Sequence, residues 1–159
     1  MRLLLDASAD VDKAKTEAFY VGDAFYGTTP LFIAADEGHT DIVRQLLDAN
    51  ADVNKASTAS GVTPLHVAVI SSHTDIVRLL LDASADVDKA CTRHGTTPLY
   101  IAAQQGHTDT VRLLLDANAD VDKASMFSGT PLWIAAWEGH TDVVPLLLDA
   151  GADVASLGP

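Results

Sequence analysis

The stretch TPLYIAAQQGHTDTVRLLLDANADVDKA, residues 97–124, decides the fold because it recurs along the chain. Thr-Pro-Leu begins at Thr29, Thr63, Thr97 and Thr130, a period of 34, 34 and then 33 residues. Recurrence in that range is the signature of a stacked array, in which each copy buries its apolar face against its neighbours. Thr97 suits an N-cap, and Pro98 the first helical position, where no backbone donor is needed. Leu99, Ile101, Ala102 and Ala103 make a short helix of mostly small and apolar residues. Gly106 ends it, since glycine enters the left-handed region without a Cβ penalty. A second helix starts at His107 or Thr108, with Asp109 in its first turn and Val111, Leu114 and Leu115 as its apolar stripe. Asn118 closes that helix, and ADVDKA turns the chain toward the next Thr-Pro-Leu.

The motifs T-P-L-x-x-A, G-H and L-L-x-x-x-A-D-V-N/D fall in register four times and span nearly all of the chain. In them the sequence resembles the ankyrin repeat family. The resemblance implies an all-α fold, an ankyrin-repeat solenoid of stacked antiparallel helix pairs with projecting β-hairpin-like turns. The pairs are expected near Thr29–Ala49, Thr63–Ala83, Thr97–Ala117 and Thr130–Ala150. The expected organisation is a single array over 1–159: a half repeat 1–14, an extended turn 13–28, and full repeats about 29–62, 63–96, 97–129 and 130–159. The resemblance also implies protein binding in a concave groove lined by first helices and turn tips.

Composition narrows the function. The net charge is -12 with a pI near 4.5, and the 10 Lys and Arg are spread along the copies rather than clustered. A phosphate backbone needs a basic patch, so nucleic acid is not an expected partner. No apolar run approaches the ~18 residues of a membrane span, and no secretory leader is expected at the start. The single cysteine, Cys91, has no internal disulfide partner, which fits a reducing, cytoplasmic setting. The expectation is an incidental, partly exposed thiol.

Four departures from the repeat stand out. Ala14 to Thr29 is 15 residues where Ala56 to Thr63 is 7, so KTEAFYVGDAFYG holds eight extra residues. Ser72 stands where other copies have Gly38, Gly106 and Gly139, at a cost of ~1 kcal/mol if the left-handed geometry is kept. Pro145 replaces Arg44, Arg78 and Arg112 and is expected to kink the first turn of a helix starting near Thr141. At the two ends, Leu3–Leu5 and LLLDAGADV look like interior repeat sequence without polar caps, which suggests a piece of a longer array.

Function is expected where the copies differ. Second helices are nearly invariant, whereas turn tips and first helices vary, and all nine aromatics lie in the variable parts. Aromatics supply rigid, amphipathic contact area. The candidate partner-binding residues are Phe19, Tyr20, Phe25 and Tyr26 of the long turn, with Arg93, His94, Met126 and Phe127 at other turn tips. Asp36, Ile70, Gln104 and Trp137 share one first-helix position, and Trp133 precedes Trp137 by a helical turn. Phe32, Tyr100 and Trp133 share a position where packing is the stronger expectation; Trp137 should face solvent.

Catalytic and cofactor readings fare poorly. His39, His73, His107 and His140 form a ladder, but neighbouring helices ~8–10 Å apart cannot bring their rings to one zinc at ~2.0–2.1 Å. Hydrogen bonding across repeats is the expected role. His66 and His94 lack a partner pattern. The repeated aspartates read as a solvated acidic face, and DANADVDKA lacks the glycine and final glutamate of an EF-hand loop. No phosphate loop, nucleophile elbow or nucleophile–base pair occurs. No enzyme activity, cofactor or metal is therefore expected.

The leading expectation is a non-catalytic module binding a protein or peptide, with acidity steering partners that carry a basic surface. Two alternatives remain: an array assembling end to end, and an engineered ankyrin binder. Ser72, Pro145 and the uneven period look unidealised and favour a natural chain. The resemblance also makes Asn54, the one asparagine in a D-V-N turn, a possible hydroxylation substrate, although a structural role in the turn is the stronger expectation.

Overall fold

A computed structural model describes residues 11–12, 27–126 and 129–155. The long turn with Phe19, Tyr20, Phe25 and Tyr26, most of the half repeat before it, and Phe127 lie outside the described residues. The described residues form α1 (Pro30–Asp36), α2 (Thr40–Asp48), α3 (Pro64–Ile70), α4 (Thr74–Asp82), α5 (Pro98–Gln105), α6 (Thr108–Asp116), α7 (Pro131–Glu138) and α8 (Val144–Asp149).

Each first helix begins the same way. Thr29, Thr63, Thr97 and Thr130 are extended N-caps whose side-chain oxygens accept from the backbone N–H three residues on, and proline follows. The caps are buried, so the hydroxyls replace water that cannot reach those donors. The helices end as decisively. Gly38, Ser72, Gly106 and Gly139 are left-handed, and the histidine after each donates to an alanine carbonyl five residues back, as in His107 N to Ala102 O at 3.0 Å. Asn50, Ser84, Asn118 and Gly151 do the same for the second helices, where Ala119 N reaches Leu114 O at 3.0 Å.

First helices stack α1 on α3 on α5 on α7, and second helices α2 on α4 on α6. The buried Leu31, Leu65 and Leu99 run through the first layer beside Ala35, Ala68, Ala102 and Ala135. The alanines keep these short helices close. Val43, Val77 and Val111, with Leu46, Leu80, Leu114 and Leu147, seal the second layer.

Three ladders tie the copies together. In the turns, Thr92 N donates to Ser60 O and Met126 N to His94 O, both at 2.9 Å, so each of these two turns is bonded to the one before it. Within turns, Ser57 N meets Val62 O and Cys91 N meets Thr96 O, whereas Ser125 N meets Gly129 O. The last turn is one residue shorter, which is where the period drops to 33.

The second ladder is histidine. His73 Nε2 lies 3.1 Å from the carbonyl of Asp36, and His140 Nε2 lies 2.8 Å from that of Gln104, as the cross-repeat expectation required. Each ring sits over the preceding glycine, so closely that a Cβ on Gly38 or Gly106 would come within 2.6 Å of it. Ser72 has that Cβ, and there the geometry changes: its Oγ lies 2.9 Å from His107 Nε2. Ser72 keeps φ at 60°, so the left-handed strain is retained.

The third ladder corrects the reading of the aspartates as a merely solvated face. Asp52 N donates to the Asp12 carboxylate at 2.9 Å, Asp86 N to Asn54 Oδ1 at 2.8 Å, Asp120 N to Asp88 at 2.9 Å and Asp153 N to Asp122 at 3.0 Å. One side chain per turn clips the next copy. Ala155 holds the corresponding place in the last turn and has no such oxygen. On the second-helix surface, Asp41 and Arg44 form an exposed i,i+3 ion pair at 3.3 Å.

Pro145 also acts differently from the expectation of a kink. Residues 141–143 form a turn and α8 starts at Val144, so the proline occupies the first turn of a shorter helix, where its missing N–H leaves no interior gap. Val144 N still reaches His140 O at 3.2 Å.

Candidate partner-binding surface

Two residues at the C-terminal end of each first helix stand at equivalent positions, most of them exposed. Asp36, Ile70, Gln104 and Trp137 form one row across α1, α3, α5 and α7; Glu37, Ser71, Gln105 and Glu138 form the next. Asp36 is half-buried, and its carboxylate accepts from the Ser71 hydroxyl at 2.9 Å, so one oxygen is already held by the neighbouring copy. Ile70 is 44% exposed and Trp137 72%, while Gln104 is also exposed. A half-exposed isoleucine and a mostly exposed tryptophan on one face are costly in a helix that could have carried polar residues there.

Trp133 and Trp137 stack with ring centroids 5.2 Å apart and planes 15° from parallel. Their spacing, one helical turn, sets this up. Trp133 is half-buried and lies against Gly129, where a Cβ would fall 3.1 Å from the indole Cγ. Gly129 stands directly before Thr130, in the register of Val62 and Thr96, because this turn is one residue shorter. Trp133 thus packs on the turn of its own repeat and stacks on Trp137.

The equivalents of Trp133 are core. Phe32, His66 and Tyr100 are buried, as the packing expectation held for the two aromatics. His66 is fully buried; its Nδ1 lies 3.2 Å from the Thr63 backbone N–H and 2.8 Å from the Thr63 hydroxyl, and its Nε2 lies 3.2 Å from Thr96 O. Burial pushes its pKa down to about 4, against raising contributions from the carbonyls of Thr96 and Lys89 and the Asp86 charge. This histidine looked unpartnered in the sequence because its acceptor belongs to the next turn.

At the turn tips, Arg93 and His94 are exposed, and Met126 is 65% exposed. Cys91, expected to be partly exposed, is instead buried, with Sγ 3.1 Å from the Thr96 hydroxyl. Burial alone would raise its pKa, but hydrogen bonds from Thr96 and the turn backbone outweigh that and lower it.

Two further groups fall short of chemistry. The Ser72–His107 contact brings a hydroxyl to an imidazole, yet His107 Nδ1 is buried without a hydrogen-bond partner. A nucleophile–base pair needs a third group to orient the base, so this is a joint between repeats. Among the described residues, no three His, Cys, Asp or Glu side chains converge to hold a metal ion, and no helix is long and apolar enough to cross a membrane.

The geometry of capped helix pairs, glycine–histidine joints and clipped turns agrees with a comparison of the whole chain. The family model described as ankyrin repeats matches residues 1–92 and 88–157. The chain belongs to the ankyrin repeat family. No curated protein matches it. Ankyrin repeats are generally protein–protein interaction modules and typically non-enzymatic. In this ankyrin array Ile70, Gln104 and Trp137, to which the sequence pointed, are exposed; so is Ile33, at 38%, to which it did not point and whose equivalents Val67, Ile101 and Ile134 are buried.

Proposed function

We propose that the chain is a single array whose repeats run about 29–62, 63–96, 97–129 and 130–159, and that it binds a protein or peptide across its first-helix rows and turn tips. The observation that carries this reading is Trp137, 72% exposed and stacked on Trp133. A pre-ordered aromatic loses little entropy on binding. Ile70, Gln104, Met126, Arg93 and His94 extend the same variable surface, and Asp36 borders it. Phe19, Tyr20, Phe25, Tyr26 and Phe127 would add an aromatic fringe from the turns. No step of this function is catalytic, and no cofactor enters it.

The test is a selection of binders from a displayed proteome library on the intact chain, followed by Trp137→Ala, Met126→Ala and Ile70→Ala in turn. Loss of binding with an unchanged helical spectrum supports the assignment. Binders indifferent to all three changes overturn it.

End-to-end assembly has its own supporting observation, the exposure of Leu148 (41%) in α8 and of Val154 (78%) in the turn after it. Against it, Ala155 offers no clip. Sedimentation decides: a mass that grows with concentration supports stacking, and a constant monomer mass removes it.

A further inference from the structure

The exposed first-helix rows differ in chemistry from one end to the other, and that order describes a ligand. At α1 stand two carboxylates, Asp36 and Glu37; at α3, Ile70 and Ser71; at α5, Gln104 and Gln105; at α7, Trp137 and Glu138. Acid therefore marks both ends, with an apolar site and a pair of amides between them. Among these row positions none carries a positive charge. Arg44, Arg78 and Arg112 stand on the second helices, and Arg93 belongs to the turn before α5. The whole chain reinforces the sign, with a net charge of -12.

Trp137 adds a specific reason for a cation at the α7 end. One face of its indole is covered by Trp133, and the residue is still 72% exposed. The free π face attracts a guanidinium or ammonium group, and the adjacent Glu138 carboxylate is exposed to complete the site. At the α1 end, Ser71 holds one Asp36 oxygen at 2.9 Å, fixing the carboxylate while Glu37 beside it is exposed.

Spacing sets the form of the ligand. Packed helices lie ~8–10 Å apart, and extended chain advances ~3.3 Å per residue. About three ligand residues cover each of the three intervals between the four helices, so about nine span the row. Glutamine side chains at α5 can donate to and accept from the backbone of such a segment.

We propose that the first-helix row binds an extended peptide segment of a partner protein, about nine residues long, with a basic residue near each end and an apolar residue between them. This rests on the reading of the chain as a protein-binding module and narrows it to one chemical class. The basic residue at one end stacks on Trp137 beside Glu138; that at the other pairs with Asp36 and Glu37; the apolar residue meets Ile70.

The experiment is a selection of phage-displayed random nonapeptides on the immobilised full chain. Winning sequences are then synthesised and titrated calorimetrically at low and high salt. Expected winners carry Arg or Lys toward both ends, and their affinity falls about tenfold in Trp137→Ala. It falls further in the Glu37→Gln, Glu138→Gln double variant at low salt and converges with wild type at high salt. Thermal melts check that each variant is folded. Winners that lose affinity in Trp137→Ala but are neutral or acidic overturn the basic class and leave the module reading standing. Winners indifferent to every row variant overturn both. A selection that enriches nothing overturns the peptide inference, and the displayed-proteome selection then decides the module reading alone.

Discussion

Ser72 Oγ lies 2.9 Å from His107 Nε2, in place of the histidine-to-carbonyl contact made at the repeat joints on either side. One added Cβ produces this. It occupies the space over which His73 and His140 lie at Gly38 and Gly106, so His107 takes the hydroxyl and leaves its buried Nδ1 unpaired.

Ser72→Gly should therefore stabilise the array. It removes the left-handed strain, about 1 kcal/mol, and frees His107 to reach the carbonyl of residue 70 as its counterparts reach Asp36 and Gln104. Ser72→Ala keeps the strain and loses the hydrogen bond, so it should destabilise by about 1 kcal/mol. Urea denaturation of the three proteins measures both shifts; two changes of the same sign would refute this account of the joint.

Acid should unfold the chain partly through His66. Its folded pKa of about 4 lies below the ordinary 6.5, so between those values the unfolded state binds more protons. Stability is fully present above pH 6.5 and is lost as the pH falls toward the folded value, by roughly 3 kcal/mol in all. The geometry explains the direction: Nδ1 faces the Thr63 N–H, leaving no room for a second proton. Tyrosine fills the equivalent position in α5, buried like His66. His66→Tyr should flatten the slope between pH 6.5 and 5, where few carboxylates titrate; melts across that interval that stay as steep as wild type would rule out His66 as the source.

The clip ladder predicts an asymmetry between two substitutions in equivalent turns. Asp88 accepts from Asp120 N at 2.9 Å, and Asp88→Ala leaves that donor to water, costing about 1 kcal/mol. Asn54 accepts from Asp86 N at 2.8 Å, and Asn54→Asp keeps an oxygen in place, so it should change stability by less than about 0.5 kcal/mol. Chemical denaturation of both variants is the check. Equal losses would mean that charge, not the accepted bond, governs the ladder.

These joints show how far the sequence carries. The helix pairs were legible because Thr-Pro-Leu, Gly-His and the leucine stripe each specify a local geometry, and local geometry repeats with the letters. The exposed face was legible at Trp137 and Ile70, since a position that varies among copies is one the frame does not need. What sequence did not reveal depends on atoms from the next copy. His66 meets Thr96, Asp88 meets Asp120, and His107 meets Ser72, each across some thirty residues or more. Cys91 looked accessible because turns usually are, but the adjoining turn and Thr96 bury it. Pro145 reads as a kink of the first turn because the repeat places the helix start near Thr141, whereas α8 starts at Val144.

The stacked tryptophans separate frame from surface by a single measurement. Trp133 is half-buried against Gly129, so Trp133→Ala removes packed area and should cost about 2 kcal/mol of stability. Trp137 is 72% exposed and contributes mainly the ring stack, so Trp137→Ala should cost about 1 kcal/mol or less. If the surface reading is right, the order reverses for affinity: Trp137→Ala weakens a selected binder more per unit of stability lost than Trp133→Ala does. Denaturation and calorimetric titration on the same two variants give both orders. A larger stability loss at Trp137 than at Trp133 would make Trp137 part of the frame and remove it from the binding surface.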